Sequence, residues 1–233
     1  MKVAMSIIAL LLCLAATAGA QVNYPEISGY SASRMALQKS LDKQYLSVEG
    51  SPYLYKSWSA GRILLVNDTV GAEYRIRFNV YGNEMQFINK SDTLIIANPQ
   101  MISAILLDGH RFEYLPYFQG TTQEMTYFEV IAEGKVRLLV RHSCRLDKGS
   151  GEVTPYSGRS TNDRFISEKF FYYQTVEMES PGELPLARNT FLSLPGFNTP
   201  DVKEYMTSQK IKLRNEQDLL KLFTWINQPT GKY

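Results

Sequence analysis

Histidine and cysteine are scarce in this chain, with two of each in 233 residues. His110 and His142 leave little material for a histidine-ligated metal site. Of the cysteines, Cys13 lies in a segment read below as cleaved, so Cys144 stands alone and no internal disulfide forms. The fold must then be held by its core. Excess charge of one sign is missing too: 25 Lys and Arg face 23 Asp and Glu. That balance lacks the electrostatic footprint of a nucleic-acid binder. No phosphate-cradling glycine motif and no metal-ligand spacing occur, so no cofactor is expected. Trp58-Ser59-Ala60-Gly61 resembles a nucleophile elbow only superficially, because no glycine lies two before Ser59.

The one long apolar run is at the start. Lys2 is followed by nearly unbroken apolar sequence from Ala4 to Ala16, then by the small residues Ala18-Gly19-Ala20. This is the pattern of a signal peptide over residues 1–20, cleaved before Gln21. The run is too short to cross a bilayer comfortably, and no later segment is apolar enough to do so. The working protein is expected to be residues 21–233, exported to the periplasm or beyond, with no transmembrane segment after cleavage.

What is abundant is aromatic sequence, with 15 tyrosines and 11 phenylalanines. That composition suits β-structure with one wet face. Tyr74 to Val80 alternates apolar and polar residues without a fault, as a half-buried strand does. Gly82-Asn83 marks a turn before a return strand at Glu84–Ile88. Further strands are expected at Thr93–Ala97, Ile102–Leu107, Arg111–Tyr114, Tyr127–Ala132, Lys135–Leu146 and Phe170–Val176, with hairpins at Asp108-Gly109 and Glu133-Gly134. The fold class is therefore mainly β (α+β): an antiparallel meander sheet, sandwich or partial barrel, over residues 51–178. Residues 148–162, rich in Gly, Ser and Thr, read as a long mobile loop.

Helices flank this domain. In the lead-in of residues 21–50, Leu37, Leu41 and Tyr45 recur at four-residue spacing, which predicts a helix over Ser33–Leu46. Residues 179–233 read as a C-terminal helical segment. Pro185 suits the first turn of a short helix that Pro195-Gly196 ends. Thr199 and Asn215 are N-caps for two more, and Leu219, Leu222, Phe223 and Ile226 form a stripe that must pack on the sheet.

The runs FNVYGNEMQFI, DTLIIANP, YFEVIAEGKVRLLVR and KEYMTSQKIKLRNEQDLLKLFTWIN resemble a family of exported, β-rich proteins of Gram-negative bacteria. The resemblance covers most of residues 21–233 and implies an envelope location. It brings no activity with it.

Three groups of residues are candidates for function. His142 and Cys144 are two apart on a strand and share a face. That face continues through Val140, Leu138 and Val136, so burial in the core outweighs a Cys–His nucleophile. The opposite face carries Arg137, Arg141 and Arg145, and the strand at Tyr74 turns out Arg75 and Arg77. If the two strands lie close, five arginines line one surface suited to carboxylate or phosphate; otherwise they are a solvated face balanced by acids. Glu129 sits on the apolar face under a strict two-residue turn at Glu133-Gly134, whereas a bulge or longer loop would move it beside the arginines, and the sequence alone does not choose between them. Third, Tyr53, Tyr55 and Trp58 head a set of clustered aromatics that offers either core packing or a platform for a sugar ring or protein.

These features favour a non-enzymatic binding or protein-interaction module whose partner is an envelope protein or glycan. The alternatives are a hydrolase acting on polysaccharide or peptidoglycan, built from scattered acids and tyrosines, and a carrier of a small apolar ligand, which needs a closed barrel.

Overall fold

The structure is a computed structural model that describes residues 37–39, 45, 48–66, 73–90, 92–149 and 162–228. Residues 1–20, read above as a signal peptide, and most of the loop expected at 148–162 lie outside the described residues.

The fold is mainly β. Among the described residues, eleven strands form one antiparallel sheet: β1 (Leu37–Lys39), β2 (Ser59–Leu65), β3 (Glu73–Asn79), β4 (Glu84–Asn89), β5 (Asp92–Ile96), β6 (Ile102–Leu107), β7 (His110–Gln119), β8 (Thr122–Ala132), β9 (Val136–Asp147), β10 (Arg164–Thr175) and β11 (Gly182–Glu183). Their order is β1-β5-β4-β3-β2-β6-β7-β8-β9-β10-β11, with β1 and β11 as free edges, so the sheet is not closed. It is two meanders, β2–β5 and β6–β10, joined where β6 pairs with β2 instead of its sequence neighbour β5.

Alternation becomes burial directly in β3, where Tyr74, Ile76 and Phe78 are buried while Glu73 and Arg75 are exposed. The β6–β7 turn has positive φ at both Asp108 (53°) and Gly109 (81°), the requirement of the type I′ hairpin that the sequence announced. Pro116 interrupts neither ladder fatally. It sits where β7 pairs with β8 alone, beyond the last β6 partner, so its missing N–H costs no bond on the β6 side.

One face of the sheet is the interior. Register carries it across Ile63, Ile105, Phe112, Glu129, Val140 and Phe171, each opposite the next. The sheet curls so that this face closes on itself: Phe78 of β3 meets Phe112 and Tyr127 at 5.8 and 5.6 Å between ring centroids. The β3–β4 turn reaches the same strand, since Asn83 donates to the Met125 carbonyl and accepts from Thr126. A strap at residues 49–53 then spans from β10 to β3, bridging Glu49 to Arg164 and Tyr53 to Asn79.

The other half of the interior face is covered by α1 (Arg188–Phe191), α2 (Pro200–Ser208) and α3 (Glu216–Ile226). Thr199 and Asn215 cap α2 and α3 by accepting from the amides of Val202 and Asp218, each worth about 1 kcal/mol. Leu219, Leu222 and Phe223 of α3 are fully buried in one cluster with Leu138, Val140 and Phe171 of the sheet.

Two expectations are corrected. The helix over Ser33–Leu46 is not formed at Leu37–Lys39, which pair as β1 with Leu94, Ile95 and Ile96. The open edge of β5 offers backbone partners that a short helix must do without. Pro185 does not start a helix; α1 begins at Arg188, after an Ala187 in extended conformation.

The β8–β9 hairpin is tied to the end of α3 by one side chain. Asn227 accepts from the Val136 amide and donates to the carbonyls of Glu133 and Val136. Gly134, at φ 142°, lies directly against it, and an added Cβ would collide with the Asn227 amide group. Gly134→Ala is expected to cost about 2–3 kcal/mol, from backbone strain plus loss of the clamp. Gly109→Ala, also at positive φ but facing open space, is expected to cost about 1 kcal/mol. Thermal melts of the two variants check this; equal shifts would remove Asn227 from the argument.

Candidate functional site

The five arginines all emerge on the outer face, but they do not form one patch. β3 and β9 are separated by β2, β6, β7 and β8. Arg75 is exposed opposite Ala60. Arg77 is clamped instead: its guanidinium lies 3.7 Å from the Tyr53 ring centroid and 4.3 Å from that of Trp58, and donates twice to Oε1 of the fully buried Gln86. The sequence named Tyr53, Trp58 and Arg77 as candidates, and the structure brings them together. Tyr55 goes elsewhere, its ring 6.3 Å from His110.

On β9, the three arginines have three fates. Arg137 donates to Glu113 at 2.6 Å and to Gln174 at 2.9 Å, with Glu133 at 3.5 Å, so its charge is spent inside the protein. Arg145 is exposed and lies 3.8 Å from Asp147. Arg141 sits in a box of rings, 4.5 Å from Phe170, 5.0 Å from Tyr117 and 6.0 Å from Tyr172. Opposite it lie Phe128 and Phe170, and the box rests on a separate small core of Tyr117, Phe128, Leu139 and Tyr172. Among the described residues Arg141 has no carboxylate partner, and its buried Nε has no acceptor. Tyr117 is already engaged, donating to Glu124 at 2.8 Å; burial and that bond push its hydroxyl up to about 12.

The interior holds a second polar site. Glu129 is buried, and its two carboxylate oxygens each meet a histidine ring: Oε1 meets His110 Nδ1 and Oε2 meets His142 Nε2, both at 2.6 Å. Both histidines of the chain thus share one carboxylate. Burial alone would raise the Glu129 carboxyl; the hydrogen bond and charge of His142, then of His110, outweigh it and leave it lowered. An ionised Glu129 fixes the ring protons on His110 Nδ1 and His142 Nε2. His110 is half exposed, and its Nε2 is not the nitrogen that meets Glu129. His142 is buried and lines a pocket of about 220 Å³ with Tyr53, Leu54, Val80 and Lys169.

Of the two placements that the sequence left open for Glu129, the structure has the apolar face: a bulge does occur between Val130 and Ala132, yet Glu129 is not beside the arginines. It stands opposite Val140 instead of the Leu138 of a strict turn. The net slip is two residues, and side chains alternate with period two, so the face is unchanged. Cys144 does share the interior side with His142, but His142 turns to Glu129. The Cys144 thiol points to the Ser51 carbonyl at 3.8 Å and is raised, chiefly by burial, which disfavours the thiolate a nucleophile needs. Among the described residues no group of three or more His, Cys, Asp or Glu side chains is placed to hold a metal ion.

Fold and sites together define an open, curled antiparallel sheet with a helical layer on half its inner face, a histidine–glutamate–histidine triad whose Glu129 and His142 are buried, and arginines boxed by aromatic rings outside. No protein-family model matches the chain, and comparison with curated proteins and with solved structures finds no match. No helix among the described residues is long and apolar enough to cross a membrane.

Proposed function

We propose that the chain is an exported, non-enzymatic binding module of the Gram-negative envelope, working through its outer sheet face. The apolar leader and the resemblance of its strand and tail segments to exported β-rich proteins support the location. The observation that carries the binding reading is Arg141: a cation walled by Tyr117, Phe170 and Tyr172 with no acidic partner among the described residues. Arg77 and Arg137, unlike Arg141, each donate to a side-chain acceptor within the protein, Gln86 for Arg77 and Glu113 for Arg137, and serve the fold.

Crosslinking of the tagged protein in intact envelopes, with captured components identified by mass spectrometry, tests this. Capture of a discrete component is expected to fall at least fivefold in Arg141→Gln and to persist in Arg75→Gln. No component above background, or equal capture by both variants, would remove the reading.

A second reading, a hydrolase acting on polysaccharide or peptidoglycan, draws on the inner site. An imidazole oriented by a buried carboxylate is the arrangement of a general base, and His110 has its second nitrogen free of Glu129. Release of soluble fragments from peptidoglycan, abolished by His110→Ala, would favour it. The carrier reading gains no support, because the sheet is open and its inner face is filled by Phe78, Phe87 and Phe112.

A further inference from the structure

Arg141 is one wall of a larger surface. Tyr172, whose ring bounds the arginine box, also lines an open groove of about 510 Å³ with Phe118, Gln123, Glu179 and Glu183. Phe118 is 57% exposed, unusual for a phenylalanine, and lines the same groove as Tyr172. The surface thus has three parts: a guanidinium with no carboxylate partner among the described residues, one exposed ring at Phe118, and a groove bearing two carboxylates and an amide, while Tyr117 and Tyr172 themselves are buried.

Each part selects a chemistry. A planar guanidinium pairs best with a planar carboxylate, through two parallel N–H···O bonds. The exposed Phe118 ring can hold the flat apolar face of a sugar, and a pyranose presents such a C–H face on one side. Glu179 and Glu183 accept hydrogen bonds from hydroxyl or amide donors and repel a second anion. Resting on the binding reading above, we infer that this surface is a subsite for an acidic glycan in which a uronic acid alternates with a neutral sugar. The uronate carboxylate lies on Arg141, and the neutral neighbour lies along Phe118 in the groove. A wholly acidic polymer meets Glu179 and Glu183 unfavourably, and a neutral one leaves Arg141 without its anion.

Titration calorimetry on the full chain decides this with four probes: a hexasaccharide of alternating glucuronate and N-acetylglucosamine, a hexamer of galacturonate, a hexamer of N-acetylglucosamine, and inorganic phosphate. The alternating hexasaccharide is expected to bind at least tenfold tighter than any of the others. Arg141→Gln is expected to weaken it at least tenfold, and Arg141→Lys, which keeps the charge but loses the fork, at least threefold. Phe118→Ser changes an exposed position, leaves the melting temperature unchanged, and is expected to weaken binding about fivefold; it serves if Arg141→Gln fails to fold. Absent binding of the alternating hexasaccharide at millimolar concentration, unchanged affinity in Arg141→Gln or in Phe118→Ser, or phosphate bound as tightly, would each overturn the inference. Arg141-dependent crosslinking to an envelope component without glycan binding would sink this inference alone; loss of both would sink the binding reading with it.

Discussion

Glu129→Ala is expected to destabilise the protein by about 3 kcal/mol, a fall of roughly 6–12 °C in melting temperature for a chain of this size. The cost is not that of a surface ion pair. Glu129 and His142 are both buried, with 6% of each side chain exposed, and the Glu129 oxygens are the acceptors for both ring N–H groups. Deleting the carboxylate leaves the His142 N–H inside the sheet without a partner and opens a gap beside Phe112, whose ring centroid lies 6.3 Å from that of His142. His110→Ala is expected to cost only about 1 kcal/mol, because His110 is 49% exposed and its carboxylate partner keeps His142. Equal effects from His110→Ala and Glu129→Ala would show that the surface pair, not the buried one, carries the site.

The same group gives a pH dependence with a definite sign. The folded-state pKa of Glu129 is lowered from its ordinary value of 4.5. The unfolded chain therefore binds the proton more readily, and stability falls as the solution acidifies. The contribution is fully present above about pH 4.5 and is lost as pH drops through the lower folded value. Denaturant melts from pH 6 down to pH 3 are expected to show a gap between wild type and Glu129→Gln that narrows as pH falls. A gap constant across that range would mean that Glu129 does not titrate differently in the two states.

Much of this architecture was written locally. Period-two alternation in Tyr74–Val80, the Asp108-Gly109 turn, and the caps Thr199 and Asn215 act within a few residues, and each formed where its chemistry placed it. What was not legible is long-range. Nothing in β6 says that it will pair with β2 and leave β5 to Leu37–Lys39. Helical spacing at Leu37, Leu41 and Tyr45 lost its central part to a free strand edge, which supplies backbone bonds that three residues cannot make alone. The outer site was half legible: the faces of Arg77 and Arg141 followed from parity, whereas their separation followed from strand order. The inner triad was missed because His110 and Glu129 lie on different strands, and only the β7–β8 register sets Phe112 opposite Glu129 with His110 nearby. A signal did exist. Glu129, on the interior face, required polar company, and the chain holds only two histidines to provide it.

The helical layer makes the other large prediction. Leu222→Asp is expected to cost at least 4 kcal/mol, which leaves a domain of ordinary stability largely unfolded near physiological temperature. Leu222 is fully buried between α3 and the sheet, in the cluster that also holds Leu138, Val140 and Phe171. The substitution removes that apolar contact and puts a carboxylate where no donor waits, so cavity and desolvation costs add. Leu220→Asp is the decisive comparison. It lies two residues away on the same helix, with the same change in helix propensity, yet Leu220 is 40% exposed. Its expected cost is about 0.5–1 kcal/mol. Circular dichroism melts that separate the two by several kcal/mol place the effect in packing against β9 and β10, whereas similar losses would place it in the helix itself.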